Sequence, residues 1–108
     1  MATNRFARID TVRLELSDGD WIEVRKELTY GDILDLQENS TTADENGVPR
    51  FNGREFSINR ILAWVVAWSF EDEHGPVELT RDAVKALNAD AAGEINRALN
   101  EYQEARKN

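Results

Sequence analysis

Ile58-Asn59-Arg60-Ile61-Leu62-Ala63-Trp64-Val65-Val66-Ala67-Trp68-Ser69-Phe70 carries the longest apolar run of the chain and leads directly into the acidic segment Glu71-Asp72-Glu73-His74-Gly75-Pro76. Read as a helix, a 100° step places Ile58, Ile61, Leu62 and Val65 on one stripe, with Ser57 as its cap. Trp64 and Trp68 flank that stripe beside Ile61. Asn59, Arg60, Ala63 and Ala67 are the interruptions, and the two alanines form a flat strip that lets another backbone approach closely. A helix apolar on most sides is covered by its own fold or by a partner.

Downstream, Gly75-Pro76 reads as a turn and a hinge to further helices. Thr80 can cap a short helix running through Leu87, with Asp82 in its first turn, and Asn88 can cap the last helix. Ala92, Ile95, Leu99 and Tyr102 recur there at three- and four-residue spacing, so one face docks. The basic Arg106-Lys107 suits the negative end of that helix.

Upstream, residues 11–25 read as a β-hairpin. Val12, Leu14 and Leu16 alternate with Arg13 and Glu15, and Ile22 and Val24 alternate with Glu23 and Arg25. Directly paired residues share a face, which selects the register. A two-residue Asp18-Gly19 loop would set Leu14 against Glu23. A three-residue Ser17-Asp18-Gly19 loop with Gly19 left-handed sets Leu14 against Ile22, Val12 against Val24 and Arg13 against Glu23. In that register Trp21 lies opposite Glu15, on the outer face. Thr29-Tyr30-Gly31-Asp32 has the form of a capping box opening a short helix that ends by Asn39, with Tyr30, Ile33 and Leu34 as its apolar stripe. Residues 39–53 are polar and broken by glycine and proline, which predicts a long mobile loop, and residues 1–10 read as a flexible arm. The expected architecture is one α+β domain, mostly α: an N-terminal hairpin followed by about four helices, with 57–105 as the helical part.

The chain has 108 residues, 41% of them apolar, and 21 acidic against 13 basic side chains, a formal charge of −8. That charge repels nucleic-acid phosphates and anionic membrane surfaces, so neither is an expected partner. Cysteine is absent, which removes disulfides, thiolate nucleophiles and cysteine-based zinc sites. No apolar signal core opens the chain, and the apolar run falls well short of the roughly 20 residues a membrane span requires. His74 sits in an acidic turn and reads as a solvated residue. Glu71, Asp72 and Glu73 lack the spacing of a calcium loop, and no phosphate-cradling glycine motif is present. The expectation is therefore no enzyme, no catalytic residue, no metal site and no cofactor. Trp64 and Trp68 are most simply core residues; the sharper reading keeps one of them near the surface as a partner anchor. Trp21 is the better surface candidate by periodicity, unless the 40–53 segment or the last helix covers it. Ile61, Trp64, Trp68 and Trp21 are the partner-binding candidates.

Certain words of the sequence carry a likeness. They are Asp20-Trp21-Ile22-Glu23-Val24, Leu28-Thr29-Tyr30-Gly31-Asp32, Ala63-Trp64-Val65-Val66-Ala67-Trp68-Ser69-Phe70, the run from Asp72 through Val84, Ala86-Leu87 and Glu94-Ile95-Asn96-Arg97-Ala98-Leu99. In their order, the chain resembles the tail assembly chaperones of long-tailed phages, especially of actinobacterial hosts. The resemblance implies a small, mostly helical protein in the cytoplasm of the infected cell, absent from the finished virion. It implies binding to the tape measure protein, whose apolar segments it keeps soluble until the tail tube forms. It also implies a longer frameshifted form, while the apolar surplus is compatible with self-association. A structural virion component, such as a head–tail connector or tail accessory protein, is the alternative from another class. An acidic inhibitor or DNA mimic is a weaker one, because the acids are scattered along the chain.

Overall fold

The apolar run divides between two kinds of secondary structure. In the computed structural model, which describes residues 3–106, helix α2 covers Gly53–Trp64 and the chain then extends into strand β5, Val65–Trp68. The helix begins five residues earlier than expected, capped at position 52 and not 57. Asn52 is its cap, accepting from the Glu55 N–H at 3.1 Å, while the Ser57 hydroxyl lies inside and donates to the Gly53 carbonyl at 3.0 Å. The expected continuation of the helix to Phe70 is wrong for a physical reason. Val65-Val66 is a β-branched pair that favours extended backbone, and an apolar strand edge is available to receive it.

That edge belongs to the hairpin of β1 (Thr11–Glu15) and β2 (Trp21–Arg25), whose register is the predicted one: Val12 opposite Val24, Arg13 opposite Glu23, Leu14 opposite Ile22 and Glu15 opposite Trp21. Its loop is Ser17–Gly19, with Asp18 (φ 58°) and Gly19 (φ 79°) both left-handed. Strand β5 pairs antiparallel with β2, completing a sheet in the order β1-β2-β5. Ile22 faces Trp68 and Val24 faces Val65, with a bulge between the pairs. The additional residue places Val65 and Trp68 on one face of the sheet although they are three apart, so the strand lacks the alternation that would have revealed it.

Among the described residues, eight apolar ones form the buried core: Ile22, Val24, Ile61, Trp64, Val65, Val84, Ile95 and Leu99. Helix α4 (Ala89–Arg106) supplies Ile95 and Leu99, both fully buried. It is fixed to both ends of the hairpin. Glu94 accepts from the Ser17 N–H and hydroxyl at 2.6 and 2.9 Å, and the Tyr102 hydroxyl donates to the Lys26 carbonyl at 3.1 Å. Helix α3 (Arg81–Ala86) is capped by Thr80 and α4 by Asn88, both as expected.

Helix α1 (Tyr30–Asn39) opens on the capping box: the Thr29 hydroxyl accepts from the Asp32 N–H at 2.9 Å and the Asp32 carboxylate from the Thr29 N–H at 3.1 Å. The expected 39–53 loop is instead a second hairpin, β3 (Thr41–Ala43) with β4 (Pro49–Phe51). Its polar sequence is organised by Asp44, whose carboxylate accepts from the Asn46 and Val48 N–H groups at 2.9 Å each and from Arg50 at 3.2 Å. These bonds hold the Asp44 carboxyl below its ordinary pKa. Ser40, fully buried, links this hairpin to α1 and α2: its hydroxyl donates to the Leu36 carbonyl, and its own carbonyl accepts from the Asn52 N–H.

Gly75-Pro76 is not a hinge. Glu71–Asp72 (β6) and Gly75–Pro76 (β7) pair as a third small hairpin, with Glu73-His74 as its turn and Gly75 at φ 110°. Among the described residues the α+β class and four helices are as expected, but about 47% of them are helical, short of the helical majority anticipated. Of the expected arm, residues 1 and 2 lie outside the described residues. Residues 3–10 form no regular element, although Asp10 is held by Lys26 at 2.8 Å.

Two outcomes follow for stability. Leu99→Ala removes a fully buried side chain from a core of eight and is expected to cost about 3 kcal/mol in urea unfolding. Asp32 is held below its ordinary pKa, chiefly by the Thr29 backbone N–H and then by the Thr29 hydroxyl. The stability it confers is complete above its unfolded pKa and is lost as pH falls through the folded one. The stability gap between wild type and Asp32→Asn should therefore be constant above about pH 5 and close as the pH drops below about 4.

Candidate functional site

The molecule is flat, 51 × 44 × 23 Å, with a radius of gyration of 15.7 Å, against about 13 Å for a compact chain of this length. Its accessible surface is 7877 Å², where a folded monomer of this mass exposes about 6,100 Å². The extended N-terminal segment and the thin layer of α1 with the β3–β4 hairpin both contribute to the excess. No residue of α1 is buried. Tyr30 (77% exposed), Ile33 and Leu34 show apolar surface there, and Phe51 on the neighbouring hairpin is 68% exposed.

Between α1, α2 and the end of α4 lies a groove of about 620 Å³. Its apolar lining is Leu28, Ile33 and Leu36 on one side and Phe56 and Trp64 on the other. Gln37, Gln103, Arg60, Arg106 and Glu27 supply the polar groups. Phe51 extends the apolar surface beyond it, its ring 5.4 Å from that of Phe56. Trp64 packs edge-on against Tyr102 at 6.5 Å, and Arg106 lies over the Tyr102 ring at 5.7 Å. Across this rim Arg106 approaches Glu27 at 3.7 Å.

The four residues singled out by sequence do not come together as one site. Ile61 (2% exposed) and Trp64 (8%) belong to the core, the simpler of the two readings the sequence allowed, and their stripe packs on the sheet and α4. Trp64 alone also lines the groove. Trp68 is half-buried on β5, against Phe70, and its indole N–H donates to the Val77 carbonyl at 2.7 Å. It pins the third hairpin to the sheet. Trp21 lies on the outer face, as its register requires, with the Arg13 guanidinium 3.8 Å from the ring centre. That ring is partly covered by a cation. The groove residues Leu28, Leu36 and Phe56 were not singled out by the sequence reading. Ile33 belongs to the apolar stripe of α1 and Arg60 interrupts the apolar face of α2, and that combination is the signal the sequence offers.

His74 is 83% exposed and within 3.4 Å of Glu73, a solvated turn residue. Among the described residues no cluster of three potential ligands could hold a metal ion, and no helix is long and apolar enough to cross a membrane. Compared with known proteins, the chain matches no protein family, no curated protein and no solved structure.

The groove is open and combines five apolar side chains with polar and charged ones, the mixed lining that amphipathic-helix grooves share. The role of Trp68 as a structural pin is tested by Trp68→Phe, which keeps a ring and deletes the donor to Val77. It should cost about 1 kcal/mol and raise amide exchange chiefly across residues 71–77.

Proposed function

We propose that the protein is a phage tail assembly chaperone whose groove beside α2 holds an amphipathic helical segment of the tape measure protein. The observation that carries this reading is an apolar groove continuous with exposed Ile33, Leu34 and Tyr30 on a helix that buries none of its side chains. The order of sequence words resembling such chaperones supports it. So does the charge of −8, which keeps a complex with an apolar client in solution. In this role the protein works in the cytoplasm of the infected host and is left out of the finished virion. Self-association and a longer frameshifted form belong to the same proposal. It has no catalytic step, nucleic-acid ligand or membrane ligand.

Trp64→Ala and Trp68→Ala are poor tests because both rings support the fold. Ile33→Glu and Leu34→Glu alter side chains that are 42% and 43% exposed and should leave folding intact. On co-expression with the tape measure protein, each should lower the co-purified amount about tenfold, while Trp21→Ala on the outer face of the sheet retains it. Unchanged recovery with both glutamate variants would refute the reading. Detection of the protein in purified virions would favour a structural component.

A further inference from the structure

The groove is locally cationic in an acidic protein. Arg60 and Arg106 line it against one acid, Glu27, and Arg106 already approaches that acid at 3.7 Å. Among the described residues Arg60 pairs with no carboxylate. It projects from α2 towards α4, where its guanidinium donates to the side-chain oxygens of Asn100 at 2.7 Å and Asn96 at 3.5 Å. Both are neutral amides, and among the described residues no ion pair reaches Arg60. The side chain is half-buried, and burial lowers its pKa from the ordinary value, yet a guanidinium remains charged at any physiological pH.

We infer that Arg60 reads a carboxylate on the helix that docks in the groove, so that the client segment is an amphipathic helix with an acidic residue beside its apolar stripe. This rests on the docking reading above. An apolar helix closing over the groove strips water from Arg60, and the two amides orient the guanidinium without neutralising it. A glutamate or aspartate at that point offsets the loss with a charge-assisted bond; a glutamine does so only weakly, and a lysine is repelled. A second copy of the chain is a worse occupant where a two-fold axis passes through the groove, because Arg60 and Arg106 would then face their own copies. A small carboxylate ligand would leave Ile33 and Leu34 on the continuing face of α1 uncovered.

The test uses the full chain and synthetic amphipathic peptides of about four helical turns, sharing one leucine–alanine stripe. A single Glu is moved around the rim of the stripe, each form paired with its Gln counterpart. At one position the Glu form should bind about five- to tenfold tighter than the Gln form, an advantage that shrinks with added salt. In Arg60→Met, which keeps the apolar stem, the two forms should bind alike, near the wild-type affinity for Gln. Ile33→Glu should weaken both forms.

Wild-type protein that binds Glu and Gln forms equally at every position overturns the carboxylate inference and leaves the groove reading in place. A preference that survives in folded Arg60→Met overturns the assignment to Arg60. Failure of every peptide to bind overturns the groove reading itself. The salt-sensitive preference is read on the wild type, so it stands even if Arg60→Met does not fold.

Discussion

Strand β2 is flanked on both sides, by β1 and by β5, and every other part of the molecule is arranged around that pairing. Ile22 and Val24 are fully buried because α4 covers one face of the sheet they centre. The β5 partner is short and imperfect. Its bulge is what allows Val65 and Trp68 to turn the same way, the first into the core and the second towards Phe70 and Val77. Without β5 the hairpin would be a two-stranded ribbon, which is marginal alone in water, and α2 would have no fixed end.

Local chemistry was legible wherever one interaction dominated. The hairpin register followed from keeping charges off the apolar face, and the caps at Thr29, Thr80 and Asn88 followed from side chains placed to accept orphan N–H groups. The errors fall where tertiary context decided. Residues 58–70 satisfy a helical stripe throughout, and only the presence of β2 favours extension after Trp64; an apolar run of that length does not distinguish a buried strand from a buried helix. The β3–β4 hairpin was hidden by polarity, since its order comes from hydrogen bonds to one aspartate, Asp44, and not from apolar alternation. The groove was illegible as a site because its walls come from three helices distant in sequence. Each contributes residues that look ordinary alone.

The same arrangement explains why the protein is thin. With eight buried apolar residues, most of the core is spent on the sheet and α4, and α1 with its hairpin forms a shallow layer held through Ser40 and Leu36. The apolar residues of that layer remain at the surface. An unusually extended surface and an exposed apolar stripe on α1 thus share one origin: too few side chains to close a second core.

Helix α2 passes into β5 with no connecting turn, Val65 being at once the helix C-cap and the first residue of the strand. The groove wall bearing Phe56, Arg60 and Trp64 is therefore continuous through the backbone with a strand of the central sheet. A ligand in the groove meets a surface whose geometry is set before it arrives. Little conformational entropy has to be surrendered on that side of the encounter; adjustment falls to the opposite wall, α1, whose packed side chains are few. One rigid jaw and one compliant jaw can grip helices of different girth, which suits the proposed role of holding segments of a long client.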